Sequence, residues 1–126
     1  MHPFQEFLIH RLTLNLPGEE AQNRMRPYPS SYLSPSFKSF SPPEEGVRNS
    51  SVLVPIITWK KELEIILTLR TRGIKHAGQL SFPGGGKEGT ETYAETALRE
   101  SHEEIGLIED HVSVCGMLSP LYVDRS

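Results

Sequence analysis

The sequence predicts an α+β domain, and three observations carry that reading. Two largely β-branched apolar runs, Ser51–Thr58 and Leu63–Leu69, have the length and composition of strands. Residues 92–105 carry apolar or small side chains at Ala94, Ala97, Leu98, Ser101 and Ile105, the spacing of a helix packed on a core. Between them lies a glycine-rich segment, Gly84–Gly89, too poor in side chains to belong to either kind of run. One long helix among several short strands defines the class.

Taken in order, Phe4–Leu12 forms a short amphipathic helix with Phe4, Phe7, Leu8 and Leu12 on its apolar face. Residues 16–50 hold six of the ten prolines and show no sustained periodicity, so a segment that is irregular and wrapped over the domain, or partly disordered, is expected. No two of these prolines are three apart, which removes a P-x-x-P ligand. The chain thus reads as an N-terminal segment, 1–50, and a domain, 51–126. Pro55 inside the first apolar run marks an edge strand or a bulge. Trp59-Lys60-Lys61-Glu62 joins the two runs as a hairpin. Gln79–Phe82 is a short strand that feeds the glycine loop, and His111–Leu118 is a final strand. On the helix, Thr90 or Thr92 is the N-cap and Gly106 the left-handed C-cap. Ser101 stands on the buried stripe, where its hydroxyl is expected to bond to the carbonyl four residues earlier.

Composition limits the function. The chain has 126 residues, 37% hydrophobic and 23% charged, with a net charge of −3. No apolar run approaches the roughly 18–20 residues of a membrane span, and no charged n-region precedes an apolar stretch at the N-terminus. Mild acidity argues against a nucleic-acid surface. Cys115 is the only cysteine, which fits a cytoplasmic setting, and its β-branched neighbours make it a small buried side chain.

Gly85 to Leu107 reads Gly-x5-Glu-x7-Arg-Glu-x2-Glu-Glu-x-Gly-Leu, eight specified positions across 23 residues. Glu100 and Glu104 lie one helical turn apart on the flank of the apolar stripe, with Glu103 further round. Like charges at this spacing destabilise an isolated helix by a few tenths of a kcal/mol, about 0.2–0.5 per pair. A solvated acidic face is the ordinary meaning of such charges. The adjoining glycines, Arg99 and Gly106-Leu107 turn the reading toward a hard cation such as Mg²⁺, which prefers oxygen ligands and is commonly shared between one or two carboxylates and substrate phosphates.

The pattern resembles the signature of the Nudix hydrolases, which cleave the diphosphate bond of nucleoside diphosphates linked to another group. That resemblance implies an α/β/α sandwich with a mixed sheet. It implies that Glu91 pairs with Arg99 to brace the loop against the helix, and that Glu100 and Glu104 are the principal ligands of Mg²⁺ or Mn²⁺. Glu103 is then an additional ligand or a group held behind the ligands, and the only general-base candidate inside the signature. Ser101 departs from the signature, which places an aliphatic residue there.

A second resemblance narrows the substrate. Leu67-Thr68-Leu69-Arg70 and Lys75-His76-Ala77-Gly78-Gln79-Leu80-Ser81-Phe82-Pro83-Gly84-Gly85 resemble the upstream motif of the coenzyme A diphosphatases within this group. Leu16–Gln22, Met25 and Pro27 are similar to that subfamily's N-terminal segment. Coenzyme A carries a 3′-phosphate beside its diphosphate, so Arg70, Lys75 and His76 are candidate substrate contacts together with the backbone of Gly84 and Gly85. Ile74 stands where the subfamily has arginine, and the stretch between Arg70 and His76 is one residue shorter. The implied reaction releases 4′-phosphopantetheine and adenosine 3′,5′-bisphosphate. Other readings are a Nudix hydrolase of ADP-ribose or a dinucleotide, and a catalytically silent module that binds a nucleotide or a protein. Subfamily members continue beyond the Ser119–Tyr122 run for several strands, so the expectation is a domain truncated at its C-terminus, with homodimer formation through the open edge.

Overall fold

The computed structural model describes residues 1–25, 46–71 and 78–123. The chain divides into two compact units, Met1–Val47 with Val114–Ser126, and Arg48–Ser113.

In the first unit, helix α1 (Pro3–Thr13) begins at His2, whose Nδ1 accepts from the Phe4 N–H at 3.2 Å. Pro3 occupies the first turn, where its missing N–H costs nothing. Helix α2 (Gly18–Met25) corrects the expectation of irregular chain from residue 16 onward. Its eight residues contain no proline, and they carry Glu19 and Glu20 in the first turn and Arg24 in the last, each favoured by the helix dipole. Arg24 Nη2 meets Glu20 Oε1 at 2.7 Å. The proline content of the longer segment concealed this polar island; residues 26–45 lie outside the described residues. The Gln22 amide donates to the carbonyls of Ser119 (3.2 Å) and Pro120 (3.0 Å), which ties the C-terminal stretch to α2.

The second unit is α+β. Strands β1 (Ser50–Val52), β2 (Ile56–Trp59), β3 (Glu62–Ile65), β4 (Thr68–Leu69), β5 (Leu80–Ser81) and β6 (Gly84–Gly86) precede helix α3 (Tyr93–Ile105). Among the described residues the pairing is antiparallel throughout, in three two-stranded ladders (β1–β6, β2–β3, β4–β5) in place of one mixed sheet. Each long apolar run of the sequence breaks in the middle. Pro55 lacks an N–H and is buried between β1 and β2, while its carbonyl accepts from the Ile66 N–H at 3.1 Å. The chain therefore leaves one ladder and enters another.

The β2–β3 hairpin turns through Lys60 (φ 48) and Lys61 (φ 69), the left-handed pair that a two-residue primed turn requires. All residues of both its strands are exposed, Trp59 at 56%.

The glycine run, expected as a loop, is strand β6. Its register, Ser50↔Gly86, Ser51↔Gly85 and Val52↔Gly84, is prolonged by Leu53 N–H to Pro83 O (2.8 Å) and Lys87 N–H to Asn49 O (3.0 Å). Glycine is required at Gly84, where a Cβ would fall on the backbone of Ser51 and Val52.

Helix α3 packs on this ladder. Thr92 caps it through a reciprocal box: its hydroxyl accepts from the Glu95 N–H (3.2 Å), and its own N–H donates to Glu95 Oε2 (2.6 Å). Thr96, Ala97, Leu98 and Ser101 are buried, with Ala94 and Ile105 half-buried. Ser101 Oγ donates to Ala97 O at 2.6 Å. Gly106 (φ 69, ψ 24) closes the helix, and the Leu107 N–H reaches back to Ser101 O.

The final strand expected at His111–Leu118 is not formed. Glu109–His111 is a 3-10 turn, and the stretch after it joins no ladder among the described residues. β-branched composition supplies propensity, but a strand also needs a partner edge. Cys115, expected to be buried, is half-buried.

Candidate active site

The site is built where α3 crosses β6. A strand whose side chains are hydrogen atoms lets a helix bring long carboxylates against its backbone. Glu100 uses this most directly: its carboxylate fills the space a Cβ on Gly85 would need, with Oε2 2.6 Å from that position. One turn later, Glu104 Oε2 accepts from the Gly84 N–H at 3.2 Å. Two acids at i and i+4 therefore reach two adjacent glycines.

Arg99 ties the rest together. Its Nε donates to Glu91 Oε1 at 2.7 Å and its Nη2 to Glu91 Oε2 at 3.3 Å, a two-pronged contact with one carboxylate. Nη2 also reaches Gly86 O at 2.9 Å, and Nη1 serves Glu100 Oε1 (3.0 Å) and Glu103 Oε1 (3.2 Å). Glu88 lies at the edge of this network, 4.0 Å from Nη1. The guanidinium thus links the segment before the helix, the glycine strand and the helix itself.

Glu91 receives further donors on Oε2, the Glu88 N–H at 3.0 Å and Thr96 Oγ1 at 2.9 Å. The hydrogen bond from Arg99, followed by that from the Glu88 backbone, holds the Glu91 carboxyl down at about 2, against an ordinary 4.5. The same contacts raise Arg99 still further above its already high value, with Glu91 as the largest cause. Glu95 is lowered by its bond to the Thr92 backbone.

The predicted residues thus separate. Glu91, Arg99, Glu100, Glu104, Gly84 and Gly85 come together. Glu103 stands apart from Glu100 and Glu104: its carboxylate is turned to Arg99 and is 57% exposed. Among the described residues no group of three or more His, Cys, Asp or Glu side chains is gathered to hold a metal ion. The helix supplies the reason, since Glu103 sits about 100° round from Glu104 and four residues after Arg99.

Arg70 follows β4, with its backbone paired to Gly78 and Gln79 and the residue exposed. Lys75 and His76 lie outside the described residues. An open cleft of about 820 Å³ runs along another flank of α3, lined by Glu91, Glu95, Arg99, His102 and Asp110 among others. Neither Glu100 nor Glu104 lines it, so this concavity and the acid pair are separate features.

Two residues were missed by sequence reasoning. Thr96 is fully buried and touches Glu91; its position three before Arg99 and four before Glu100 was the available signal. Arg48 lies over Gly86, its Nη2 2.6 Å from the Cβ position of that glycine, and only the strand register brings it there.

An acid-bearing helix laid on a glycine strand, its arginine locked to the preceding glutamate, defines a Nudix domain. The family model described as NUDIX domain matches residues 47–126, and the chain belongs to this family. It is 42% identical to the uncharacterized Nudix hydrolase NudL of Pectobacterium atrosepticum over 71% of this chain and 45% of that protein. It is 42% identical to Nudix hydrolase 3 of Caenorhabditis elegans over 54% of this chain and 29% of that one. A probable Nudix hydrolase of Schizosaccharomyces pombe is 36% identical over 64% of this chain and 29% of its own length. The chain spans less than half the length of these curated relatives. No helix among the described residues is long and apolar enough to cross a membrane.

Proposed function

We propose that the chain carries the divalent-cation site of a Nudix hydrolase acting on the diphosphate bond of coenzyme A or its derivatives. The observation that carries the hydrolase reading is the convergence of Glu100 and Glu104 on Gly85 and Gly84. Their carboxylates fit a hard cation: four oxygens from adjacent turns, drawn together against a glycine backbone. Mg²⁺ or Mn²⁺ would be held by these two residues, with remaining positions for water and substrate phosphate oxygens. A bound cation supplies neutralisation of diphosphate charge and a lowered pKa for coordinated water.

The chain's own residues do the rest. Arg99 fixes the Glu100 carboxylate while remaining neutralised by Glu91. The glycine backbone, Arg70, Lys75 and His76 bind and orient phosphates. Glu103, exposed and anchored by one contact to Arg99, is the residue in the signature available to take a proton from water. Residues 51–126 form the catalytic module in this reading, with 1–50 as its N-terminal segment. The coenzyme A assignment rests on the motif running from Leu67 to Gly85.

A second reading has its own observation. Arg99 already occupies both Glu100 and Glu103, an arrangement that suits a catalytically silent nucleotide- or protein-binding module. Incubation with Mg²⁺ and coenzyme A, ADP-ribose, NADH or diadenosine polyphosphates, with products weighed by mass spectrometry, decides among these. Coenzyme A is expected to give 4′-phosphopantetheine fastest. Faster cleavage of ADP-ribose overturns the substrate, and no cleavage of any compound by the full-length protein favours the silent module.

A further inference from the structure

We propose that Thr96 is a positioning residue of this site: its hydroxyl fixes the Glu91 carboxylate, and through it the Arg99 guanidinium, against the glycine strand. The consequence for catalysis rests on the hydrolase reading above; the geometry does not.

Thr96 has no exposed surface. Its Oγ1 lies 2.9 Å from Glu91 Oε2 and 3.1 Å from Thr92 O. A hydroxyl has one proton to give, and an ionised carboxylate is the stronger acceptor. Ser101, on the same helix, is the internal contrast. Its hydroxyl is given one partner, the carbonyl four residues back, at 2.6 Å. Thr96 has a second acceptor beside that backbone carbonyl, and the nearer of the two is the Glu91 carboxylate.

The effect on Glu91 is orientational. A carboxylate turns about its last side-chain bond, and the two-pronged contact with Arg99 needs both oxygens in the guanidinium plane. Oε1 faces Arg99 Nε alone, whereas Oε2 is held between Thr96 Oγ1 and the Glu88 N–H, with Nη2 at a longer 3.3 Å. The hydroxyl and the backbone amide thus hold Oε2 in place beside the guanidinium. Arg99 carries that placement onward to Gly86 O and Glu100 Oε1. An alanine or valine at 96 leaves Oε2 with one fewer donor, and the guanidinium gains freedom next to Glu100.

The test compares Thr96→Ser with Thr96→Ala in the full chain, a pair that differs only in the hydroxyl; Thr96→Val is added as the variant closest in shape to the parent. The direct readout is the Arg99 Nε–H cross-peak in a ¹H–¹⁵N spectrum and its exchange rate with water. Parent and Thr96→Ser are expected to hold a slowly exchanging resonance. Thr96→Ala and Thr96→Val should exchange it at least roughly tenfold faster, the scale of one lost bond to a charged group. With a cleavable substrate, kcat should fall by roughly the same factor in these two while KM stays within about twofold, and Thr96→Ser should retain activity. An unchanged Arg99 resonance in Thr96→Ala overturns the proposal, even if Thr96→Val fails to fold. Faster exchange in Thr96→Ala with no cleavage by the parent supports the positioning role and removes the hydrolase reading instead.

Discussion

Alanine at Gly84 and alanine at Gly85 differ by one position and should fail in different ways. At Gly84 the added methyl would lie 2.6 Å from Val52 Cα and closer still to Ser51 O, both fixed backbone atoms of β1. Ordinary carbon contacts are about 3.5–4.0 Å, so β1 must retreat by roughly 1 Å while α3 packs on both strands. Overpacking of this kind costs about 1–3 kcal/mol, and a backbone obstacle places Gly84→Ala at the upper end. At roughly 4 °C per kcal/mol for a chain of this size, Tm should fall by about 8–12 °C. At Gly85 the methyl meets the tip of the Glu100 side chain, which can swing aside. Gly85→Ala should therefore lower Tm by no more than about 4 °C. It should nonetheless break the 3.0 Å contact of Glu100 with Arg99 and weaken Mn²⁺ binding by roughly tenfold or more. Thermal melts followed by circular dichroism, with Mn²⁺ titration of each variant, read both effects. Equal losses of Tm in the two variants, or a Gly84→Ala melt within about 2 °C of the parent, would refute the described seating of α3 on the glycine strand.

Three further outcomes follow from local geometry. Because Glu91 titrates at about 2 in the folded chain against an ordinary 4.5, its contribution is complete above that ordinary value and is lost as pH falls toward 2; a urea midpoint series over this range should flatten in Glu91→Gln. Exchanging Lys60 and Lys61 for Asn-Gly suits the left-handed turn they occupy, so the midpoint should correspond to roughly 1–2 kcal/mol of added stability, and an unchanged or lower midpoint would count against this turn. Thr92→Ala removes one half of the capping box and should cost about 1 kcal/mol, seen as faster amide exchange over the first turn of α3; unaltered exchange there would mean the cap is not formed.

What was legible in the sequence was the part governed by helical periodicity. The signature from Gly85 to Leu107 placed α3, its C-cap at Gly106 and the Ser101 back-bond, because each depends on residues within one or two turns. The strand assignments fared unevenly for a different reason. Pro55 divided an apolar run that composition alone reads as continuous, and His111–Leu118 had propensity but joins no ladder among the described residues. Gly84–Gly86 carries little strand propensity and became a strand because β1 presents it with a ladder.

By itself, the chain's order of residues determined that three acids and an arginine share one helix behind a run of glycines, since spacing along a helix is fixed by its pitch. Which of those acids meet was decided in three dimensions. Glu104 was drawn to the Gly84 amide, Glu103 was drawn to Arg99, and Thr96 and Arg48 entered the site from positions with no marked chemistry. Side-chain reach and strand register settle such contacts, and both depend on how β6 and α3 pack.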